Sequence, residues 1–147
     1  MQYKFGRPGA VAKLSGGAEF PLVRGMVYFY QLPAGILVKV EASGLPDNDT
    51  GFYGFHIHEG RVCEGIGFSG TGSHYSKNNM PHPRHSGDLP PLLSYNGNAY
   101  MTVITNRFAM LDIIGRTVVI HSKADDFMTQ PAGNAGEKIA CGVIGKS

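Results

Sequence analysis

An all-β fold, a sandwich or Greek-key barrel of about eight strands with two long functional loops, is predicted by three features of the sequence. Apolar and polar residues alternate with period two through the first half, turn signals separate the alternating runs, and no long amphipathic helical pattern interrupts them. The 21 glycines and 9 prolines are scattered and do not recur at every third position, which excludes collagen-like and long-helix architectures. At 147 residues the chain fits one domain spanning 1–147, long enough to bury roughly 68–70% of the surface its unfolded form exposes.

Taken in order, the first candidate strand is Ala10 to Ser15, and the second is the aromatic-rich segment Gly25 to Leu32. Pro33-Ala34-Gly35 supplies a turn into Ile36 to Glu41, where Ile36, Val38 and Val40 share one face and Lys39 and Glu41 the other. Phe52 to His58 is the fourth strand. Asn96-Gly97, the favoured pair for a two-residue turn with positive φ, then joins PPLLSY to AYMTVIT as a second hairpin. Arg116 to His121 and Ile139 to Ile144 complete the set. Two segments of different character remain, Glu59 to Leu93 and Ser122 to Lys138, rich in Gly, Pro, Ser, Asn and His. Loops of this length carry function or are disordered.

Charge narrows the partners. Thirteen Lys and Arg face eleven Asp and Glu, and no two of the thirteen are adjacent, so the electrostatic footprint of a nucleic-acid binder is missing. Neither nucleic acid nor a membrane is expected, since no stretch approaches about 18 uninterrupted apolar residues. The start, MQYKFGRPG, lacks the apolar core of a secretory signal. The compartment expected is cytoplasmic if Met1 is the native start, and periplasmic or extracellular if a signal peptide has been removed.

All six histidines (His56, His58, His74, His82, His85, His121) fall between positions 56 and 121. In Gly54-Phe55-His56-Ile57-His58, strand alternation sends Phe55 and Ile57 to one face and both imidazoles to the other, a geometry able to chelate one ion. From His74 to Asp88, three imidazoles and one carboxylate converge in a way that suits a four-coordinate zinc site. Pro81 and Pro83 restrict the backbone around His82 and limit the entropy lost when the loop wraps an ion. Two exposed strand histidines and a polar surface loop are the plainer readings. His121 can reach this region only through the fold. Cys63 and Cys141 form no CxxC pair and make either one disulfide or two buried thiols.

The segments GFHIHEG, GSHY, HSGDLPPLL, IIGRTVVIHSKADD and GNAGEKIACGVIG, in this order across about residues 10 to 145, resemble the copper/zinc superoxide dismutase family. The resemblance implies a flattened eight-stranded Greek-key β-barrel with a metal-binding and an electrostatic loop. It implies copper ligands His56, His58, His74 and His121, and zinc ligands His74, His82, His85 and Asp88. His74 would be the bridging imidazolate and take part in catalysis, and Asp125 would link a copper-ligand histidine to a zinc-ligand histidine. Cys63 and Cys141 match the family's intrasubunit disulfide. The activity implied is disproportionation of superoxide to oxygen and hydrogen peroxide by alternate reduction and reoxidation of copper, with zinc structural. A copper-delivery protein and a homodimer are the further partners it allows.

The sequence departs from the family pattern in several places. Lys138 occupies the position of the family's anion-attracting arginine, and Glu137 beside it is expected to draw it from the channel or partly cancel its field. The electrostatic loop is short, at 16 residues between His121 and Lys138, and Ala132 replaces a threonine common at the channel rim. Only four residues separate His58 from Cys63, so a dimer of eukaryotic type is not predicted; the compact HPRH spacing looks bacterial. The alternatives are a copper-binding or copper-buffering protein without turnover and a non-catalytic module stabilised by zinc alone.

Overall fold

The computed structural model describes residues 5–147; the first four, which open the segment MQYKFGRPG, lie outside the described residues. Among the described residues ten strands follow one another: β1 (Ala10–Gly16), β2 (Arg24–Leu32), β3 (Gly35–Ser43), β4 (Phe52–Tyr53), β5 (Phe55–His58), β6 (Leu92–Tyr95), β7 (Asn98–Thr105), β8 (Thr117–His121), β9 (Lys138–Val143) and β10 (Gly145–Lys146). All pairings are antiparallel. The order in space is β4-β6-β7-β3-β2-β1-β9-β8-β5, with β10 against β1. Its two ends, β4 and β5, are separated in the chain by Gly54 alone, so the sheet curls into a nearly closed Greek-key barrel.

The strand expected over Phe52 to His58 is divided at Gly54. There the backbone leaves the β4 pairing: its N–H donates to Lys123 O, and its carbonyl accepts from the His121 N–H, both at 2.8 Å. A Cβ at this position would lie 2.8 Å from Ala135 Cβ and 3.2 Å from His56 Cε1, so the approach requires glycine. This division and the two-residue β10 give ten segments where about eight were expected. The hairpin turns are as read, with Asn96 and Gly97 at φ 49° and 78°.

Burial follows the alternation. Ile36, Val38 and Val40 are buried, and Glu41 is exposed, with Lys39 Nζ 3.2 Å from its Oε1. Leu37 departs from the pattern: it lies on the outer face yet is buried, its register partners Tyr30 and Ile104 flanking it. Phe55 and Ile57 join Phe29, Leu14 and Ile120 in the core, leaving His56 and His58 to the other side of β5. Among the described residues helix is confined to a 3₁₀ segment at Ile66–Thr71 and one turn, α1 (Met110–Ile113). Among the described residues no helix is long and apolar enough to cross a membrane.

The loop between β5 and β6 returns alongside β5. Tyr75 N–H donates to Ile57 O at 2.8 Å, and Ile57 N–H donates to Gly87 O at 2.9 Å. These bonds bring His74 opposite His58 and Asp88 opposite His56. The same loop is tied to β9 by the Cys63–Cys141 disulfide, which spans 78 positions.

Candidate metal centre

Two strands and one loop place all six histidines in one cluster. His56 and His58 come from β5, His121 from the end of β8, where it faces Lys138 across a bulge, and His74, His82 and His85 from the loop docked on β5. His56, His58, His74 and His121 each offer one ligand atom, the four lying within 4.8 Å of one another. His74, His82, His85 and Asp88 do the same, so His74 is common to both groups. All of these residues are buried except His85, which is partly exposed.

The hydrogen bonds determine which nitrogens are free. His58 Nδ1 donates to Gly72 O at 2.9 Å and His121 Nδ1 to Gly136 O at 3.4 Å, leaving the two Nε2 lone pairs facing each other at 3.2 Å. Lone pairs so placed repel unless a cation lies between them. His56 Nε2 is bonded to Asp125 Oδ2 and His74 Nδ1 to Asp88 Oδ1, both at 2.8 Å. His56 Nδ1, His74 Nε2, His82 Nδ1 and His85 Nδ1 are then buried without a hydrogen-bond partner. His82 Nδ1 and His85 Nδ1 lie 3.1 and 3.0 Å from Asp88 Oδ2, but at angles unsuited to hydrogen bonding. Four orphaned nitrogens in one small volume are costly without an ion and fit two cations well.

Electrostatics keeps the ligands in the binding form. Burial pushes the His56 imidazole down to about 4, against the raising effect of its Asp125 bond. Burial, helped by His56 and His74, pushes His121 down to about 3, and burial with His121 and His74 holds His58 well below 6.5. All three are neutral at pH 7, the state that ligates a metal. Burial would raise both buried carboxyls. The His74 bond and the neighbouring imidazoles outweigh it at Asp88, as do bonds from His56, His82 and the Phe127 amide at Asp125, so both stay below the usual carboxylate range.

Asp125 spans the two groups, with Oδ2 on His56 Nε2 and Oδ1 on His82 Nε2 at 2.8 Å. Gly133, at φ +67°, makes room for it: a Cβ there would lie 2.0 Å from Asp125 Oδ1. The Copper/zinc superoxide dismutase family model matches residues 23–144. The chain belongs to this family. It is similar to the copper/zinc superoxide dismutase of Deinococcus radiodurans, 36% identical over 143 residues that cover 83% of this chain and 77% of the relative. The enzymes of Legionella pneumophila, at 34% identity over 84% of this chain and 79% of the relative, and of Caulobacter vibrioides, at 32% over 92% and 83%, are also similar.

Within this family site, Lys138 does not turn to Glu137. Its ammonium donates to Thr71 Oγ1 at 2.7 Å and to Gly72 O at 3.1 Å, and the two make no ion pair among the described residues. Glu137 is exposed, whereas Lys138 opens β9 half-buried beside the loop that β9 holds by the disulfide, and so it bonds to that loop and not to its neighbour. Lys138 and His58 share the Gly72 carbonyl, and burial lowers the lysine's proton affinity. Ala132 is partly exposed in the loop between β8 and β9.

Two contributors escaped the sequence reading. Arg107, just after β7, donates from Nη1 to Pro83 O at 2.8 Å, with the His85 and Asp88 carbonyls at 3.4 Å. Gln130 pairs with the His82 backbone. Neither carries a local signal, because a lone Arg or Gln in a polar loop looks like ordinary solvated surface.

Proposed function

We propose that this chain disproportionates superoxide to oxygen and hydrogen peroxide, with copper held by His56, His58, His74 and His121 and zinc by His74, His82, His85 and Asp88. The observation that carries this reading is the pair of four-ligand groups sharing His74, with orphaned buried nitrogens aimed into them. When bound, copper supplies the alternating one-electron exchange with superoxide, beside a zinc that has no redox chemistry. The chain's own part is to fix geometry and charge. Asp125 orients His56 and His82 through their Nε2 atoms, and His74 Nδ1 and Asp88 Oδ1, 2.8 Å apart, converge on the zinc group. Lys138, pinned by Thr71 and Gly72, keeps one ammonium donor without a partner among the described residues, to attract and contact a small anion.

Burial of the copper set supports delivery of that metal by a partner protein. The disulfide supports an oxidising compartment, periplasmic or extracellular. Any homodimer is read as distinct from the eukaryotic type, because the stretch from His58 to Cys63 is short.

An ammonium attracts superoxide at long range but lacks the planar two-pronged donor of arginine, so orientation at the site is poorer than attraction to it. The test measures superoxide consumption by the copper- and zinc-loaded protein across a salt series. Lys138→Arg is expected to raise the second-order rate constant. Lys138→Glu is expected to lower it about tenfold at low ionic strength, and less at physiological salt, where the Debye length is about 8 Å. Rates indifferent to the charge at 138 remove Lys138 from the site. Absence of turnover in fully loaded protein favours the copper-buffering alternative.

A further inference from the structure

Contacts from three directions meet at His82, and one of them grips the backbone instead of the ring. The His82 N–H donates to Gln130 Oε1 at 2.9 Å, and Gln130 Nε2 donates to the His82 carbonyl at 2.6 Å, across 48 positions of sequence. A carboxamide carries its acceptor and its two donors in one plane. By meeting both backbone groups of one residue it takes the place of a neighbouring strand. Pro81 and Pro83 have no N–H, so that of His82 is the one backbone donor between Met80 and Arg84, and Gln130 takes it.

Gln130 is itself held. Its Nε2 also faces Met128 O at 3.3 Å, which fixes the orientation of the amide. Asp126 Oδ1 accepts from the Met128 and Thr129 N–H groups at 2.8 Å, and Gly133 N–H donates to Thr129 O at 2.7 Å, so Gln130 projects from a turn closed by its own bonds. Asp125, from the same loop, fixes the tilt of the His82 ring through Nε2 but leaves the main chain beneath it free to move. The two backbone bonds remove that freedom and direct Nδ1 to the point shared by His74, His85 and Asp88.

We propose that Gln130 is a positioning residue of the zinc site, presetting the His82 main chain and coupling zinc occupancy to the order of the loop between β8 and β9. The proposal rests on the assignment of zinc to His74, His82, His85 and Asp88. Preorganising a ligand's backbone before binding reduces the entropy lost on binding, and residues that orient metal ligands from outside are worth about 10–100-fold in affinity.

The test uses the full chain, copper-free, with zinc affinity read by competition against a chromophoric chelator. Gln130→Met keeps the length of the side chain and removes both bonds; Gln130→Glu keeps the acceptor for the His82 N–H and loses the donor. Zinc affinity is expected to fall about tenfold in Gln130→Met and less in Gln130→Glu. The hydrogen-exchange protection that zinc confers on residues 122–137 is expected to shrink in Gln130→Met, while that of β2 and β3 stays as in the wild type and shows the variant folded. A purely structural role would leave zinc-linked protection of that loop unchanged. Zinc affinity of Gln130→Met within about twofold of wild type overturns the proposal. Failure of the wild-type protein to bind zinc, or undiminished binding by His85→Ala, overturns the zinc assignment instead.

Discussion

Replacing His74 by Ala is expected to lower superoxide turnover by about 100-fold or more and to make copper spectroscopically blind to zinc. His74 is the ring at the centre of the cluster: its centroid lies 4.0 Å from that of His56, 4.8 Å from His58, 5.3 Å from both His82 and His85, and 5.8 Å from His121. Its Nδ1 faces Asp88 and its Nε2 is buried and unpartnered, so the two nitrogens serve the two groups separately. Alanine removes a ligand from each at once, and among the described residues no other side chain offers a ligand to both. The check is the copper absorption and paramagnetic resonance spectrum recorded before and after zinc addition. In the wild type the spectrum shifts with zinc; in His74→Ala it should not. A variant with unaltered copper spectra and full activity contradicts the bridging role.

The second large effect is on stability. The Cys63–Cys141 bond closes a loop of 78 residues, and in the chain-entropy description such a closure contributes about 4–5 kcal/mol. Its position links that stability to the metal site. Cys141 is buried on β9, three residues beyond Lys138, and Cys63 lies in the loop whose Gly72 carbonyl receives both His58 and Lys138. Reduction therefore loosens the surroundings of two functional side chains as well as the denatured chain. We expect a fall in Tm of about 10 °C or more and a parallel loss of metal retention, measured by calorimetry and metal analysis with and without reductant. Fully active, air-purified protein carrying two free thiols contradicts this expectation.

Much of the framework is local and therefore readable in the sequence. Ile36, Val38 and Val40 alternate into the core, Asn96-Gly97 closes its hairpin, and Phe55 and Ile57 turn inward while His56 and His58 turn to the site. The alternation rule reads through Gly54, however, because what divides that strand is a partner far along the chain, the carbonyl of Lys123. Leu37 is buried against the rule for the same kind of reason, flanked by β2 and β7. The histidine content announced a metal, but a cluster built from β5, β8 and a loop exists only once the barrel brings them together. Least legible were the supports. Lys138 turns to Thr71, 67 positions away, and Gln130 to His82, 48 positions away; no local pattern encodes either choice.

The assignment of six histidines and Asp88 to two sites is tested most directly by counting metals in defined variants. Copper and zinc are to be quantified in purified, reconstituted wild type, His121→Ala and His85→Ala, with superoxide consumption measured on the same samples. One copper and one zinc per chain are expected in active wild type, with copper lost and zinc kept in His121→Ala, and zinc lost in preference to copper in His85→Ala. Equal loss of both metals in both variants, or a wild type that consumes superoxide with only one metal site filled, would contradict two four-ligand sites joined at His74.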